Sequence, residues 1–556
     1  MYSSSDIISA RRESVLQAYN SARAENHLRF LEGDDKATAE YIFPNQFEDA
    51  NKIVDEFYRN NRRVISVTKK TKVGADGLMI EIAKLLTTHI DDKFVINPAN
   101  VRILTGMSNA GWEKDMIDKA PNCFKDKIFH HGKLLRADLM SISNSLIIID
   151  EIDTGDKEYQ VLHTTLKEAG VLDVEHMKKH NNRFVFISAT MIKELYDLYR
   201  WGALHELYKM TIPASYVSHK DFLDRGIIKE FYPLNTTDNA EKWVQEDILD
   251  NYGNDYRVHI LRVNPQTIAK VQNACIRKGI AFRNHTSIDR LSQDEITEFF
   301  KEPLTQHIVL GVKGFFRRAN LIPNPWKLRI GATHELYTKV VDNNVQIQGL
   351  PGRMTGYWRD DIEGGHKTGP HRTSINAIEQ YEKIYEDPLG LNSYQTSGFK
   401  KKNGKVSALP TMLSTKNIKN MQAVDLPVPE DPRDPATIPV VFTVTPDEYK
   451  TICKRNSIWD YATITPLIQK YKANILSELE RIEKEGGKDQ IVEPDSKATT
   501  YSVYITDFVN ASINNKRHKH VGNIKETTKD TFQIYLDKLE YRMIISIQYG
   551  SKTISS

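Results

Sequence analysis

Ser145-Leu-Ile-Ile-Ile-Asp-Glu-Ile-Asp153 and, further along, Arg183-Phe-Val-Phe-Ile-Ser-Ala-Thr190 decide the fold. Each is a short apolar, β-branched or aromatic run closed by polar residues, the pattern of a strand buried on both faces. Val64-Ile-Ser-Val67 and Val101-Arg-Ile-Leu104 have the same character. Between these runs, Leu78–Leu86 and Tyr159–Leu172 carry apolar residues at helical spacing. Alternation of this kind predicts a parallel, doubly wound sheet. Ligands of such sheets gather outside the carboxyl ends of the strands, so the acids after Ile149 and the Ser-Ala-Thr turn should share one crevice.

A second alternating stretch begins at Arg257-Val-His-Ile-Leu261 and continues through Ile268–Lys278, His307-Ile-Val-Leu310 and Leu328-Arg-Ile-Gly331. The expected organisation is an N-terminal arm over 1–44, one α/β unit over 45–215 and another over 216–365. A basic, Pro-rich linker region over 366–440 and a C-terminal α+β accessory domain over 441–556 follow. The linker reading rests on GGHKTGPHR (364–372), FKKKNGK (399–405) and the five prolines of 426–439. In the tail, Pro439–Val444, Tyr501–Tyr504 and Met543–Ile547 read as strands and Asn474–Lys484 as a charged helix.

Composition narrows the class. The 556 residues are 40% hydrophobic and 27% charged, ordinary for a globular protein. A net charge of +3 puts any basic surface in local patches. Cys123, Cys275 and Cys453 are far apart, which disfavours a disulfide framework or a Cys-based zinc site and fits a reducing compartment. No run approaches a membrane span and the first residues lack a signal-peptide apolar core, so an intracellular protein without a membrane partner is expected.

A buried strand ending in adjacent acids suits phosphoryl transfer from a nucleotide, where one carboxylate holds Mg²⁺ and another polarises a water. Asp150 would take the metal side and Glu151 the water side.

Asp150-Glu-Ile-Asp153 followed by Ser188-Ala-Thr190 resembles the superfamily 2 helicases, the DEAD/DEAH-like group with two RecA-like domains. The resemblance covers residues 40–360, and the flavour of its later motifs is similar to helicases of bacteriophages and large DNA viruses. It implies two tandem RecA-like domains, with ATP and Mg²⁺ bound between them and DNA or RNA as partner. In that family the turn holding Ser188 and Thr190 couples nucleotide state to strand separation. Val101–Gly106 resembles motif Ia, which would put Thr105 and Gly106 on the nucleic-acid backbone, and Tyr256–Asn264 opens the second domain as motif IV does. His307–Ile322 resembles motif V and offers Lys313, Arg317 and Arg318 to phosphates. Gln348-Gly-Leu-Pro-Gly-Arg353 resembles motif VI, making Gln348 and Arg353 catalytic candidates, with Arg359 standing in for a second arginine. Gln46 occupies the place of a Q-motif glutamine that would read adenine.

The phosphate loop departs from the family. It should follow Val64–Val67, and the sequence there reads Lys69-Lys-Thr-Lys-Val-Gly-Ala-Asp-Gly-Leu78. Thr71, Gly74 and Gly77 fit a nucleotide-binding loop, but Ala75 stands where a phosphate-neutralising Lys belongs and Asp76 where a Mg²⁺-facing hydroxyl belongs. Three explanations are open. The protein is a natural pseudo-ATPase, or Lys70 or Lys72 folds back to substitute, or Ala75 is an introduced replacement of Lys. Outside the cleft, Lys400–Lys402, Lys405 and Asn514–His520 are basic clusters, Trp112 is a candidate base-stacking or core residue, and the C-terminal region is a candidate for protein partners. The expected function is an ATP-dependent helicase or translocase, here with its phosphate loop disabled by Ala75 in the Lys position. The alternative is an inactive nucleic-acid-binding or assembly subunit.

Overall fold

The computed structural model describes residues 4–386 except 90–93, 108–109, 140–141, 155–159, 302 and 315–321. Beyond these it describes residues 388, 399–402, 405–408, 411, 413, 419, 437–443, 531–537 and 542–548. Two compact units emerge: Met1–Met191 with Glu206–Glu386, and Ile192–His205 with Asp387–Ser556.

The first unit holds two sheets in tandem. One is built from β1 (Val64–Thr68), β2 (Val101–Thr105), β3 (Ile128–Phe129), β4 (Leu146–Asp150), β5 (Arg183–Ser188) and β6 (His205–Lys209), in the order β3-β2-β4-β5-β1-β6. β1 runs parallel to β5, β5 to β4, β4 to β2 and β2 to β3. Every residue of β1, β2, β4 and β5 is buried, as both-face burial requires. Helices α2 (Pro44–Arg59), α3 (Ala75–Thr88) and α4 (Ala110–Lys119) supply the apolar cover. Ile53, Phe57, Leu78 and Ile82 share one core with Ile65, Val67, Ile148 and Val185. The arm is a long helix, α1 (Ser4–Leu31). It contributes Val15 to that core and holds Tyr19 against Glu81 of α3 with a 2.7 Å hydrogen bond.

The second sheet comprises β8 (Ile228–Glu230), β9 (Val258–Arg262), β10 (Ala281–His285), β11 (Ile308–Val312), β12 (Ile330–His334) and β14 (His371–Thr373), in the order β10-β11-β9-β12-β14-β8, with all its pairs parallel. A small antiparallel pair, β7 (Tyr216–Val217) with β13 (Gly356–Tyr357), lies beside it in sequence. The chain thus forms two tandem RecA-like α/β domains, each a doubly wound parallel sheet. The second extends past the boundary expected at 365. His371-Arg-Thr373 sits between β12 and β8, and the helix Ile375–Glu386 packs Ile378 and Tyr381 against Ile347. Residues 366–372 read as linker because this strand has no apolar run. Its buried side chains are polar and satisfied by contacts such as Thr333 Oγ1 to His371 Nδ1 at 3.0 Å, which composition does not reveal.

In the second unit, Thr437–Thr443, Arg542–Gln548 and Thr531–Asp537 form a three-stranded antiparallel sheet with Arg542–Gln548 central, and Phe399–Lys402 pairs with Lys405–Ala408. The strands expected at Pro439–Val444 and Met543–Ile547 fall in this sheet. Tyr501–Tyr504, Asn474–Lys484 and the cluster 514–520 lie outside the described residues. Among the described residues, no helix is long and apolar enough to cross a membrane.

Candidate active site

β1 ends at Thr68, the chain turns through Lys69–Gly74, and α3 starts at Ala75. Gly74 caps the helix in the left-handed region, φ +93°, where a side chain would be strained. Gln46 fixes this turn from α2. Its Nε2 donates to the Gly74 carbonyl at 2.5 Å and its Oε1 accepts from the Phe43 amide at 2.9 Å. A β-carbon on Gly77 would lie 2.2 Å from Gln46 Oε1, so Gly77 serves close packing. Gln46, expected to read a base, is buried and spends its amide on the loop.

One cavity is lined by Lys69, Thr71, Lys72, Gly74, Ala75 and Asp76 of the loop, Asp150 and Glu151 after β4, Met107, Trp112, Asp115 and Lys119, and Gln348 and Arg353 of the second domain. Segments far apart in sequence meet here because β1 and β4 end on the same side of one parallel sheet.

The loop lysines diverge. Lys69 Nζ lies 3.2 Å from Glu151 Oε1 and 3.9 Å from Asp150 Oδ1. Lys70 turns away to pair with Glu382, its ammonium 4.2 Å from the centre of the Tyr385 ring. Burial lowers the Lys70 pKa, and Glu382 opposes that fall. Lys72 lines the cavity.

Asp76 pairs with Lys119. Burial alone would raise its pKa, but Lys119 and the neighbouring Lys72 and Lys69 bring it below the ordinary value, so Asp76 is ionised.

Asp150 is 5% exposed. Burial pushes its pKa up to about 6, Lys69 opposes the rise and Glu151 adds to it. Trp112 Nε1 donates to Asp150 Oδ2 at 2.9 Å, whereas Oδ1 is buried without a hydrogen-bond partner among the described residues. Trp112 is therefore a core residue orienting an acid, and its burial removes it as a base-stacking platform. Glu151 sits at φ +56° and accepts from Ser188 Oγ at 3.2 Å.

The Ser-Ala-Thr turn closes on the last acid. Asp153 accepts from Ser188 Oγ at 2.8 Å and from Thr190 Oγ1 at 2.9 Å. Sequence reasoning gave Asp153 no role, although its position three residues after Asp150 was the signal.

From the second domain, Arg353 is 1% exposed and donates from Nη2 to Gln348 Oε1 at 3.0 Å. Gln348 Nε2 is buried without a partner among the described residues. The segment after Arg353 grips the loop backbone. Thr355 Oγ1 donates to the Thr71 carbonyl at 3.0 Å, Tyr357 OH to the Val73 carbonyl at 2.7 Å, and Tyr216 OH also reaches the Thr71 carbonyl. The Thr71 hydroxyl is itself 2.9 Å from Thr355 Oγ1.

Several expected residues lie elsewhere. Arg359 bonds the Tyr216 carbonyl at 2.6 Å and Asp221 at 2.9 Å, outside the cavity lining, so it is no understudy to Arg353. Thr105 is buried with its Oγ1 accepting from the Met107 amide, and a β-carbon on Gly106 would strike the Thr154 carbonyl at 1.8 Å. Both are packed inside, because β2 is a central strand, and neither faces a phosphate backbone. Lys313 is exposed, and Arg317 and Arg318 lie outside the described residues.

Among the described residues no group of three or more His, Cys, Asp or Glu could hold a metal ion. The donors present fit Mg²⁺ in its phosphate-assisted mode, which takes one or two carboxylates beside substrate oxygens, and Asp150 Oδ1 is the unspent buried oxygen.

No family model matches the chain, and no curated protein does. Among solved structures, S. cerevisiae Dbp5 bound to RNA and ADP BeF3 is 10% identical, covering 63% of this chain and 92% of that one at a TM-score of 0.36. The DEAD-box helicase Mss116 bound to ssRNA and UDP-BeF is 11% identical, with coverages of 83% and 85% and a TM-score of 0.39. The Sulfolobus solfataricus SWI2/SNF2 ATPase core in complex with dsDNA is 12% identical, with coverages of 62% and 90% and a TM-score of 0.24. At these identities and scores the likenesses carry no argument about this chain.

Proposed function

We propose that the chain is an intracellular, ATP-driven nucleic-acid translocase or helicase of superfamily 2 type, similar in its later motifs to phage and viral enzymes. The observation that carries this reading is the meeting of Asp150 and Glu151 from one domain with Gln348 and Arg353 from the other across one cavity beside a helix N-terminus.

In this reading the amides opening α3 and the loop cations hold the triphosphate. Asp150 Oδ1 would hold Mg²⁺, which when bound would neutralise phosphoryl oxygens. Glu151 orients the attacking water and takes up its proton, with Lys69 Nζ 3.2 Å from its Oε1. Arg353, held by Gln348, meets the charge that develops on the transferred phosphoryl group. Asp153 with Ser188 and Thr190 reports that state to the nucleic-acid-binding face, for which Lys313, Arg317 and Arg318 are the candidates.

A second reading, an inactive nucleic-acid-binding or assembly subunit, draws on Ala75 and on Asp76 being locked to Lys119. Hydrolysis of ATP with single- and double-stranded DNA and RNA decides between them, comparing the chain with Arg353→Ala. The motor reading expects polymer-stimulated turnover that falls roughly 100-fold or more in the variant. Nucleic-acid binding with no turnover by the unaltered chain or by Ala75→Lys would sink the motor reading and leave the binding subunit.

A further inference from the structure

We propose that Lys72 is the phosphate-binding cation of this site, taking over the charge that Ala75 cannot supply. The inference rests on reading the cavity as a nucleoside-triphosphate site and deepens it by naming the group that grips the polyphosphate.

The other candidate cations are already committed. Lys69 faces Glu151 and Asp150 at 3.2 and 3.9 Å. Lys70 is bound to Glu382, away from the cavity. Lys119 neutralises Asp76. Lys72 lines the cavity, and its ammonium makes no ion pair or hydrogen bond among the described residues. The charges acting on it are mostly of its own sign, namely Arg353, Lys69 and Lys327, with Asp76 opposing them. A cation held among cations, inside a cavity, is a place prepared for an anion.

The backbone adds an independent observation. Among the described residues six non-glycine residues have positive φ, and four of them are Asn or Asp, which tolerate that region. The other two are Glu151 and Lys72, at φ +56° and +58°, and both line the same cavity. A lysine gains nothing locally from this conformation. Glycine or asparagine would hold the turn with less strain, so the side chain itself accounts for the residue. Burial, and then the neighbouring cations, depress the Lys72 pKa well below its usual value. An arriving polyphosphate would oppose that fall.

The φ of +58° also supplies a clean variant, because Lys72→Gly removes the ammonium while suiting the turn. The experiment is calorimetric titration of the full chain with Mg·ATP and, separately, with inorganic tripolyphosphate. It compares the unaltered protein, Lys72→Gly, Lys69→Ala and the double variant Lys72→Gly/Ala75→Lys, with melting temperatures recorded for each. The expected result is an unchanged or higher melting temperature for Lys72→Gly, with affinity for both ligands down by roughly 10- to 100-fold. The double variant should regain most of that loss. Undiminished tripolyphosphate affinity in Lys72→Gly, or a loss confined to Lys69→Ala, would overturn the assignment while leaving a nucleotide site standing. If the unaltered chain binds neither ligand, the nucleotide site itself fails, and Lys72 with it.

Discussion

Asp150→Asn should make the protein more stable while disabling it. The Asp150 carboxyl is buried, and burial pushes its pKa from the ordinary 3.8 to about 6, with Lys69 opposing and Glu151 reinforcing the rise. The sign follows from proton linkage. As pH rises from about 4 to about 6, the unfolded chain gives up its proton first, so the folded state loses stability across that window. Above it the full penalty remains. At 1.36 kcal/mol per pKa unit the penalty near neutral pH is about 3 kcal/mol, which the coupling with Lys69 and Glu151 makes an upper figure. Asparagine carries no charge to desolvate, and its carbonyl can still accept from Trp112 Nε1. A gain of about 1–3 kcal/mol is expected, or roughly 3–10 °C in melting temperature. The assay is thermal denaturation of both chains in chelator-containing buffer at pH 4, 5, 6, 7 and 8, alongside ATP hydrolysis with Mg²⁺ at pH 7.5. The gap between the chains should open with rising pH and level off above about pH 7, and the variant should be inactive. A variant that melts lower than the parent at pH 7, or a gap that does not change with pH, would refute the account of Asp150 as a strained acid held for metal binding.

Glu382→Gln leaves the Lys70 ammonium buried against Tyr381 and Tyr385 without its counter-charge, and chemical denaturation should read a loss of about 2–4 kcal/mol. The paired change Lys70→Met/Glu382→Leu should restore most of it, since apolar replacement of both partners removes the desolvation problem. Asp153→Asn removes a carboxylate shared by Ser188 and Thr190, and the ratio of polymer-stimulated to basal hydrolysis should fall toward one. An unchanged ratio would separate the Ser-Ala-Thr turn from coupling.

Most strands of the parallel sheets were legible because a strand buried on both faces tends to read as a short apolar run; His371–Thr373, whose buried side chains are polar, was not. Asp150, Glu151, Ser188 and Thr190 were legible with them, since residues that end adjacent parallel strands are placed by the strands. Arg353 and Gln348 could be placed near the cavity only through resemblance. Their burial there depends on how the second domain meets the first. Lys69 and Lys72 were harder. A lysine in a loop reads as solvated, and nothing local says that Lys69 turns to the acids, Lys70 to Glu382 and Lys72 into the cavity.

Misplaced residues share one physical cause. Thr105 and Gly106 were assigned to the nucleic-acid side through the motif Ia resemblance, and Trp112 stood open between base stacking and the core, but Thr105 Oγ1 and Trp112 Nε1 are satisfied internally, and burial of a satisfied polar group leaves no mark in composition. Arg359 closely follows the segment that resembles motif VI, yet it opens the short helix after β13 and pairs with Asp221.

The sequence by itself determined the two doubly wound domains and the line of acids and hydroxyls at the strand ends, because the alternation of apolar strand runs with helix-period segments is written locally along the chain. Only the tertiary structure decided which cation meets which carboxylate, that Gln46 holds the loop instead of waiting for a base, and that Thr355 and Tyr357 clamp the loop from the second domain. Those outcomes are set by electrostatics and packing between segments from 28 to 312 residues apart, where charge and distance in space matter and sequence spacing carries little information.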